Sequence, residues 1–190
     1  MNVKILISAI PCALLLSGNA MAVDGATGEV KFTGNVIESA CNISADNLNQ
    51  TVDFGTVGRS LLNGTGVQEV PFQIQLTGCD PSATVQGLEN GKVSTVGVRF
   101  ESSALVTSTK NELANPTTSG YSQGVSVKVF SIDTNKYISF DGTTDAKVTK
   151  KVSSGNMTYS FKGILGKATG ATSVTVGKID TKTQFIVEYL

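Results

Sequence analysis

The sequence contains no histidine, so the side chains best suited to catalysis or metal binding are its cysteines, carboxylates and lysines. Without histidine, neither a Ser–His–Asp triad nor a Cys–His pair can form. Carboxylates such as Asp141 and Asp145 lie among turn-forming residues, which indicates a turn rather than glycosidase chemistry. A Ser–Lys dyad is compatible with the composition, but no sequence context supports one. We therefore predict that the protein is not an enzyme and needs no cofactor.

The first 22 residues have the three parts of a secretory signal peptide. Lys4 is the only charge in this segment, an apolar stretch covers residues 5–16, and an A-x-A sequence stands at 20–22. A membrane-spanning helix fits less well, because a bilayer span needs about 20 apolar residues. A lipoprotein anchor at Cys12 fits less well still, since this cysteine lies inside the apolar stretch. We expect a mature, exported chain of residues 23–190.

The mature chain would keep two of the three cysteines, Cys41 and Cys79. An even pair in an exported protein predicts a disulfide. The alternatives are two reduced, buried thiols or a metal-binding pair, and both fit less well with export and with the absence of histidine. The 15 basic and 15 acidic residues of the chain balance, so its composition suggests neither nucleic acid nor an anionic membrane as a partner.

The mature chain is predicted to be all-β. Short alternating runs rich in Val, Ile, Thr and Phe are separated by clusters of Gly, Asn, Asp, Ser and Pro, which is typical of a sandwich or barrel. The length suits one domain, and residues 105–120 show no pattern and indicate a long loop. The candidate strands are 29–36, 51–57, 67–76, 93–101, 125–132, 137–140, 156–165, 173–178 and 182–189.

The mature N-terminus, residues 23–36, alternates small or apolar residues with polar ones. In an extended strand, Ala26, Gly28, Val30 and Phe32 would share one face. The segment could be an ordinary first strand with a frayed tip. Alternatively, it completes the sheet of a different molecule, because strand addition is a recognised mode of association.

Three motifs and two C-terminal positions resemble the subunits of type 1-like fimbriae, which the chaperone–usher pathway assembles. Residues 28–41, GEVKFTGNVIESAC, resemble the start of that family's first strand and its first cysteine. Residues 52–57, VDFGTV, resemble its V-x-L/F-G-x-V element, and residues 72–79, FQIQLTGC, resemble the strand that carries its second cysteine. Gly177 and the penultimate Tyr189 stand where the family has a glycine and a tyrosine.

The resemblance implies an incomplete immunoglobulin-like β-sandwich that lacks its last strand. Residues 37–190 would form this pilin domain, and residues 23–36 would be an N-terminal donor-strand extension. A periplasmic chaperone would first fill the open groove, and the extension of another pilin subunit would replace it at the outer-membrane usher. The groove edge to which the chaperone binds would contain Gly177, Phe185, Val187 and Tyr189.

The function implied is that of a structural subunit of an extracellular fimbria. Such a subunit is exported through the periplasm to the cell surface, polymerises by donor-strand exchange and supports cell adhesion, with a host receptor as a further partner. The alternative is a minor subunit of the same fibre: an adaptor, a terminator or a carbohydrate-binding adhesin.

Gly28 has two interpretations. In the family, a glycine of the extension marks the tightest point of the groove, where a side chain would clash with the floor. Alternatively, Gly28 is a flexible residue in a frayed tip, and the nearby Gly25 shifts the register of the strand.

Overall fold

A computed structural model describes residues 30–31, 39–143 and 147–190. The chain divides into two compact units, Met1–Val36 and Ile37–Leu190. The second unit is built almost entirely of β-strands, as the sequence predicts, with two single-turn helices, α1 (Ala45–Leu48) and α2 (Arg59–Asn63). The strands are β1 (Asn42–Ile43), β2 (Gln68–Cys79), β3 (Thr95–Glu101), β4 (Leu113–Ala114), β5 (Val125–Ser131), β6 (Lys136–Tyr137), β7 (Val148–Lys151), β8 (Gly155–Lys167) and β9 (Gln184–Tyr189).

The strands form two antiparallel sheets that pack face to face. The larger sheet has the order β1-β2-β8-β5-β4, with β6 paired to β5, and its centre is the long pair of β2 and β8. The smaller sheet has the order β7-β3-β9. Within the described residues, β9 is therefore an edge strand.

Alternation of side chains explains why these strands form a sandwich. On β8, Met157, Tyr159 and Phe161 are buried, while the residues between them point to the other face and are only partly covered. On β2, Ile74 and Leu76 are buried in the same alternating way. A strand with one apolar face must bury that face against a second layer.

The core between the sheets is rich in aromatic rings. The ring of Phe161 on β8 lies 5.1 Å from that of Phe100 on β3, edge to face, and 5.4 Å from the stacked ring of Phe72 on β2. The hydroxyl of Tyr159 crosses between the sheets and donates to the carbonyl of Val96 at 2.7 Å. Burial raises the pKa of Tyr159, so its hydroxyl stays protonated and remains a donor.

Two strand predictions were wrong. Residues 51–57 pair with no strand among the described residues, and Gly55 within them has a φ of 64°, which is not that of a strand. Residues 173–178 contribute only an isolated bridge from Lys178 to Tyr121. Residues 105–120 are not wholly irregular, because they contain β4. Alternation indicates an extended chain with one apolar face, but it does not specify a neighbour for the backbone groups.

Three lysines of the strands lie over aromatic rings and are also paired with carboxylates. The ammonium group of Lys128 lies 5.9 Å from the ring centre of Tyr137 and 2.9 Å from the carboxylate of Glu112. That of Lys150 lies 5.1 Å from the ring centre of Tyr159 and 2.9 Å from Asp133. That of Lys162 lies 5.5 Å from the ring centre of Phe130 and 3.0 Å from Glu69.

Glu112 is the one acidic residue among the buried polar side chains of the described residues, with 2% of its surface exposed. Its carboxylate accepts hydrogen bonds from the backbone and hydroxyl of Thr169 and from the hydroxyl of Ser126, and it pairs with Lys128. Burial by itself would raise the pKa of Glu112, but these bonds outweigh it and lower the pKa to about 2. The charged carboxylate thus fastens β5 to the loop that follows β8.

Candidate functional site

A long groove runs between the two sheets on the side of β9. Its volume is about 1330 Å³, which exceeds the roughly 300–1,000 Å³ of a typical small-molecule pocket. Residues 179–185 line it at the start of β9, and residues 47–52 with Phe54 line it from the segment after β1. A groove of this size has room for a peptide strand.

The register of β9 directs one set of its backbone groups away from β3. Leu190 exchanges both backbone hydrogen bonds with Thr95, at 2.9 and 2.8 Å. Because hydrogen-bonded and non-hydrogen-bonded pairs alternate in an antiparallel ladder, Phe185, Val187 and Tyr189 direct their N–H and C=O groups away from β3. Among the described residues, no strand pairs with that edge. It is a row of donors and acceptors ready for another strand.

The floor of the groove is apolar and incompletely covered. Phe72, Phe100 and Phe185 line it, and the rings of Phe100 and Phe185 lie 6.5 Å apart. Phe72 and Phe185 pack against the core but are only partly buried. Exposed aromatic surface is costly in water, so a strand with an apolar face would stabilise this floor by covering it.

The second wall of the groove is held by close packing rather than by a ladder. Val52 and Phe54 lie over Gly163 of β8, where an added Cβ atom would come within 3.3 Å of Val52 and 3.2 Å of Phe54. A side chain at position 163 would push these two residues outward. The glycine therefore sets how closely the wall approaches the large sheet.

Charged residues lie at the rim of the groove near the start of β9. Asp141 forms an ion pair of 2.8 Å with Lys110 and accepts hydrogen bonds from Ser139 and Thr143. The bond from Lys110 and the two hydroxyl bonds lower the pKa of Asp141, so its carboxylate stays ionised and the ion pair with Lys110 is kept at this end of the groove.

The outward face of β9 carries a separate charge cluster. Glu188 pairs with Arg99 on β3 and, at 3.1 Å, with Lys147. Desolvation would raise the pKa of Glu188, but its bonds to the two cations outweigh that effect, and the pKa is lowered. The pairs join all three strands of the small sheet or their immediate ends, on the side opposite to the core.

Tyr189 connects the end of β9 to the cysteine pair. Cys41 and Cys79 form a disulfide, as predicted. The Tyr189 hydroxyl accepts from the amide of Cys41 at 3.2 Å, lies 2.9 Å from the carbonyl of Cys41 as a donor, and lies 2.6 Å from the hydroxyl of Ser39. The last strand is thus tied to the residues that begin the second unit.

Three of the four residues predicted for the groove edge lie together on one face of β9, where Phe185, Val187 and Tyr189 pack against the core. Of these three, Phe185 also lines the groove. Gly177 lies outside β9, where an added Cβ atom would be 2.3 Å from the backbone nitrogen of Ser122. Close backbone packing therefore accounts for a glycine at this position.

Of the predicted donor-strand residues, Val30 is described and is 74% exposed. Ala26, Gly28 and Phe32, together with the signal peptide, lie outside the described residues. Two residues that line the groove, Phe54 and Phe72, were not predicted as site residues from the sequence. Both stand in motifs that carry the family resemblance, which is the signal that could have found them.

The described part of the chain contains no cluster of three His, Cys, Asp or Glu side chains that could hold a metal ion. In the same residues, no helix has the length and apolar character needed to cross a bilayer.

The chain matches the family described as Fimbrial protein over residues 30–190. It belongs to this fimbrial family. The fimbrial chain is 29% identical to an uncharacterized fimbrial-like protein, YbgD, of Escherichia coli strain K12 over 184 residues, or 96% of each chain. It is 30% identical to the PRS fimbrial major pilin protein of Escherichia coli over 171 residues, which covers 90% of this chain and 99% of that protein.

Solved structures of pilus subunits share the fold. A chain from the structure of a chaperone–usher pilus superimposes with a TM-score of 0.71 and 26% identity, covering 90% of this chain and all of that one. The P pilus rod subunit PapA superimposes with a TM-score of 0.65 and 26% identity, covering 80% of this chain and all of PapA. These findings confirm the predicted family and its immunoglobulin-like fold class, and the chain is a structural pilus subunit.

Proposed function

We propose that this subunit polymerises by accepting, into the groove beside β9, the N-terminal strand of another subunit. The observation that carries the proposal is the coincidence of an uncovered apolar floor with an unpaired strand edge. A single inserted strand would bury the floor and pair with the backbone groups of Phe185, Val187 and Tyr189. Both effects favour strand addition over small-molecule binding.

The N-terminal segment of the chain has the pattern that such a groove requires. Residues 23–36 place Ala26, Gly28, Val30 and Phe32 on one face of an extended strand. Val30 and Phe32 would each stabilise the joint by about 1.5–3 kcal/mol on burial. The main-chain ladder with β9 would then fix the register.

The route to the fibre follows from the same exposed surface. An uncovered floor and strand edge would cause aggregation, so a periplasmic chaperone occupies the groove until the subunit reaches the outer-membrane usher. The exported subunit then joins other pilin subunits in a fimbria on the cell surface, where it supports adhesion to a host receptor. This role is structural and uses no catalytic residue.

The decisive test compares two glycine substitutions in the donor segment. Gly28→Leu places a side chain where the donor strand would approach the groove floor most closely, and Gly25→Leu is the matched control nearer the tip. We expect Gly28→Leu to leave the yield of the chaperone complex unchanged and to abolish the ladder of polymers that resists SDS without boiling. Gly25→Leu should retain the ladder.

Two results would contradict the proposal in different ways. If both variants polymerise normally, the donor segment does not enter a tight groove. If Gly25→Leu blocks polymerisation and Gly28→Leu does not, the segment enters the groove in a register shifted from the one proposed. A synthetic peptide of residues 23–36, called the donor peptide below, should protect the chaperone-free subunit from aggregation.

A further inference from the structure

The hydroxyl group of Tyr189 links β9 to residues 39–41, and these two parts of the subunit have different roles in a fibre. It bonds to the amide and carbonyl of Cys41 at 3.2 and 2.9 Å and lies 2.6 Å from the Ser39 hydroxyl. Ser39 also donates to the carbonyl of Cys41. Among the described residues, the Tyr189 contacts are the hydrogen bonds that join residues 39–43 to β9.

These two parts lie at opposite ends of the path that tension would take. If a donor strand from a neighbour pairs with β9, a pulling force enters the subunit through that strand. The same force leaves through the subunit's own extension, which ends at residue 36, shortly before Ser39 in the chain. Cys41 is fastened to the large sheet by its disulfide to Cys79 and by β1, whereas β9 belongs to the small sheet.

We propose that the Tyr189 hydroxyl is a mechanical clamp that fastens the root of the N-terminal extension to the strand that receives the neighbour's donor segment. The inference rests on the proposed strand insertion and adds a positioning residue to it. Without the hydroxyl, load passing from β9 to Cys41 has no direct hydrogen bond to follow. It must instead pass through β3 and then cross between the sheets, through apolar packing and more distant bonds such as that from Tyr159 to Val96. The clamp therefore gives the load a direct and directional path.

Tyr189→Phe isolates the hydroxyl, because the aromatic ring that packs against the core is kept. The matched control is Tyr137→Phe, since Tyr137 is 52% exposed and lies on the outer face of the large sheet, beside Phe130. Each variant is assembled into fibres and stretched in a force spectrometer. Fibre yield and the SDS-resistant ladder are recorded for each variant, so that unfolding is compared between fibres that have assembled.

Under tension, the two variants should differ. At a fixed force, subunits in Tyr189→Phe fibres should unfold about tenfold faster than those in wild-type or Tyr137→Phe fibres, as expected for the loss of one or two net hydrogen bonds. Ser39→Ala should add little to Tyr189→Phe, because both remove the same cluster, and a double-mutant cycle measures this coupling. Equal unfolding rates in all fibres would overturn the clamp.

A second measurement separates failure of the clamp from failure of strand insertion. Hydrogen exchange of the Cys41 amide is followed in the full chain, kept outside any fibre or aggregate at low protein concentration, with the amide of Tyr159 on β8 as an internal reference. In Tyr189→Phe, the Cys41 amide should exchange about tenfold faster while the reference stays unchanged. Unchanged exchange at Cys41 overturns the clamp, even where fibres form. If the wild-type chain forms no ladder of SDS-resistant polymers, strand insertion is overturned, and the mechanical role of the Tyr189 hydroxyl is overturned with it.

Discussion

The carboxylate of Glu112 should control how the stability of the subunit depends on pH. The charged form is buried and accepts hydrogen bonds from Thr169 and Ser126 while it pairs with Lys128. Its pKa is lowered to about 2 in the folded chain. Because the folded pKa lies below that of an unfolded glutamate, the group stabilises the fold when it is ionised.

The magnitude follows from the two pKa values. A drop from the ordinary value of 4.5 to about 2 corresponds to about 3 kcal/mol of folding free energy at neutral pH. The contribution is fully present above pH 4.5 and is lost as the pH falls through 2. At pH 3 it should have decreased to about 1.5 kcal/mol.

The assay is urea unfolding of the purified chain at pH 7 and at pH 3. Glu112→Gln keeps the shape of the side chain and removes its charge, and Glu89→Gln, at an exposed position, is the control. We expect Glu112→Gln to be less stable than wild type by about 3 kcal/mol at pH 7 and by about half of that at pH 3. The control should match wild type at both pH values.

A stability difference that stays constant between the two pH values would refute the reasoning. Such a result would mean that Glu112 contributes by its shape or by bonds that glutamine also forms. A stability difference that grows on acidification would also refute it, since it would require the pKa of Glu112 to be higher in the folded chain than in the unfolded one.

The remaining predictions concern the groove edge and one close backbone contact. Phe185→Ala should weaken binding of the donor peptide about 30-fold, because about 2 kcal/mol of additional burial is lost. Ile186→Ala, on the outward face of β9, should weaken that binding less than threefold. Fluorescence anisotropy of the labelled peptide measures both affinities, and equal effects would contradict the groove assignment. Gly177→Ala should destabilise the fold by about 2–3 kcal/mol, because the new Cβ atom would lie 2.3 Å from the nitrogen of Ser122. The control is Gly58→Ala, whose Cβ atom would come no closer than 3.8 Å to its neighbours, and it should leave the midpoint of thermal unfolding unchanged. If Gly177→Ala also left this midpoint unchanged, the loop at Gly177 would have room for a side chain.

The long central strands could be predicted because their pattern is strong. The sequence places β2, β5 and β8 within a few residues of their observed ends, since alternating large apolar residues and flanking turn residues define them. The same pattern predicted a strand at 51–57, where the chain pairs with no described strand and instead packs on Gly163 through Val52 and Phe54. Alternation reports which face is buried, and it contains no information on hydrogen-bond partners.

The groove could be predicted in part. Phe185 and Val187 follow from the alternation of the last strand, but the direction of their backbone groups depends on the register with β3. The contact of the Tyr189 hydroxyl with Cys41 joins residues 148 positions apart, and no local pattern encodes such a pair. Gly177 was assigned to the groove edge by resemblance, whereas its close approach to Ser122 becomes visible only in three dimensions.

The three lysines that lie over aromatic rings bear on how the subunit would meet digestive proteases. Trypsin cleaves after lysine, and it needs a segment of extended chain freed from its neighbours. Lys128, Lys150 and Lys162 stand in paired strands, and each ammonium group is engaged by both a carboxylate and a ring. Cleavage there requires the strand to leave its sheet, so its rate follows the opening of the whole sandwich rather than local fraying. A fibre built from such subunits would therefore resist trypsin in its paired strands at these three lysines, and cleavage would begin in its loops.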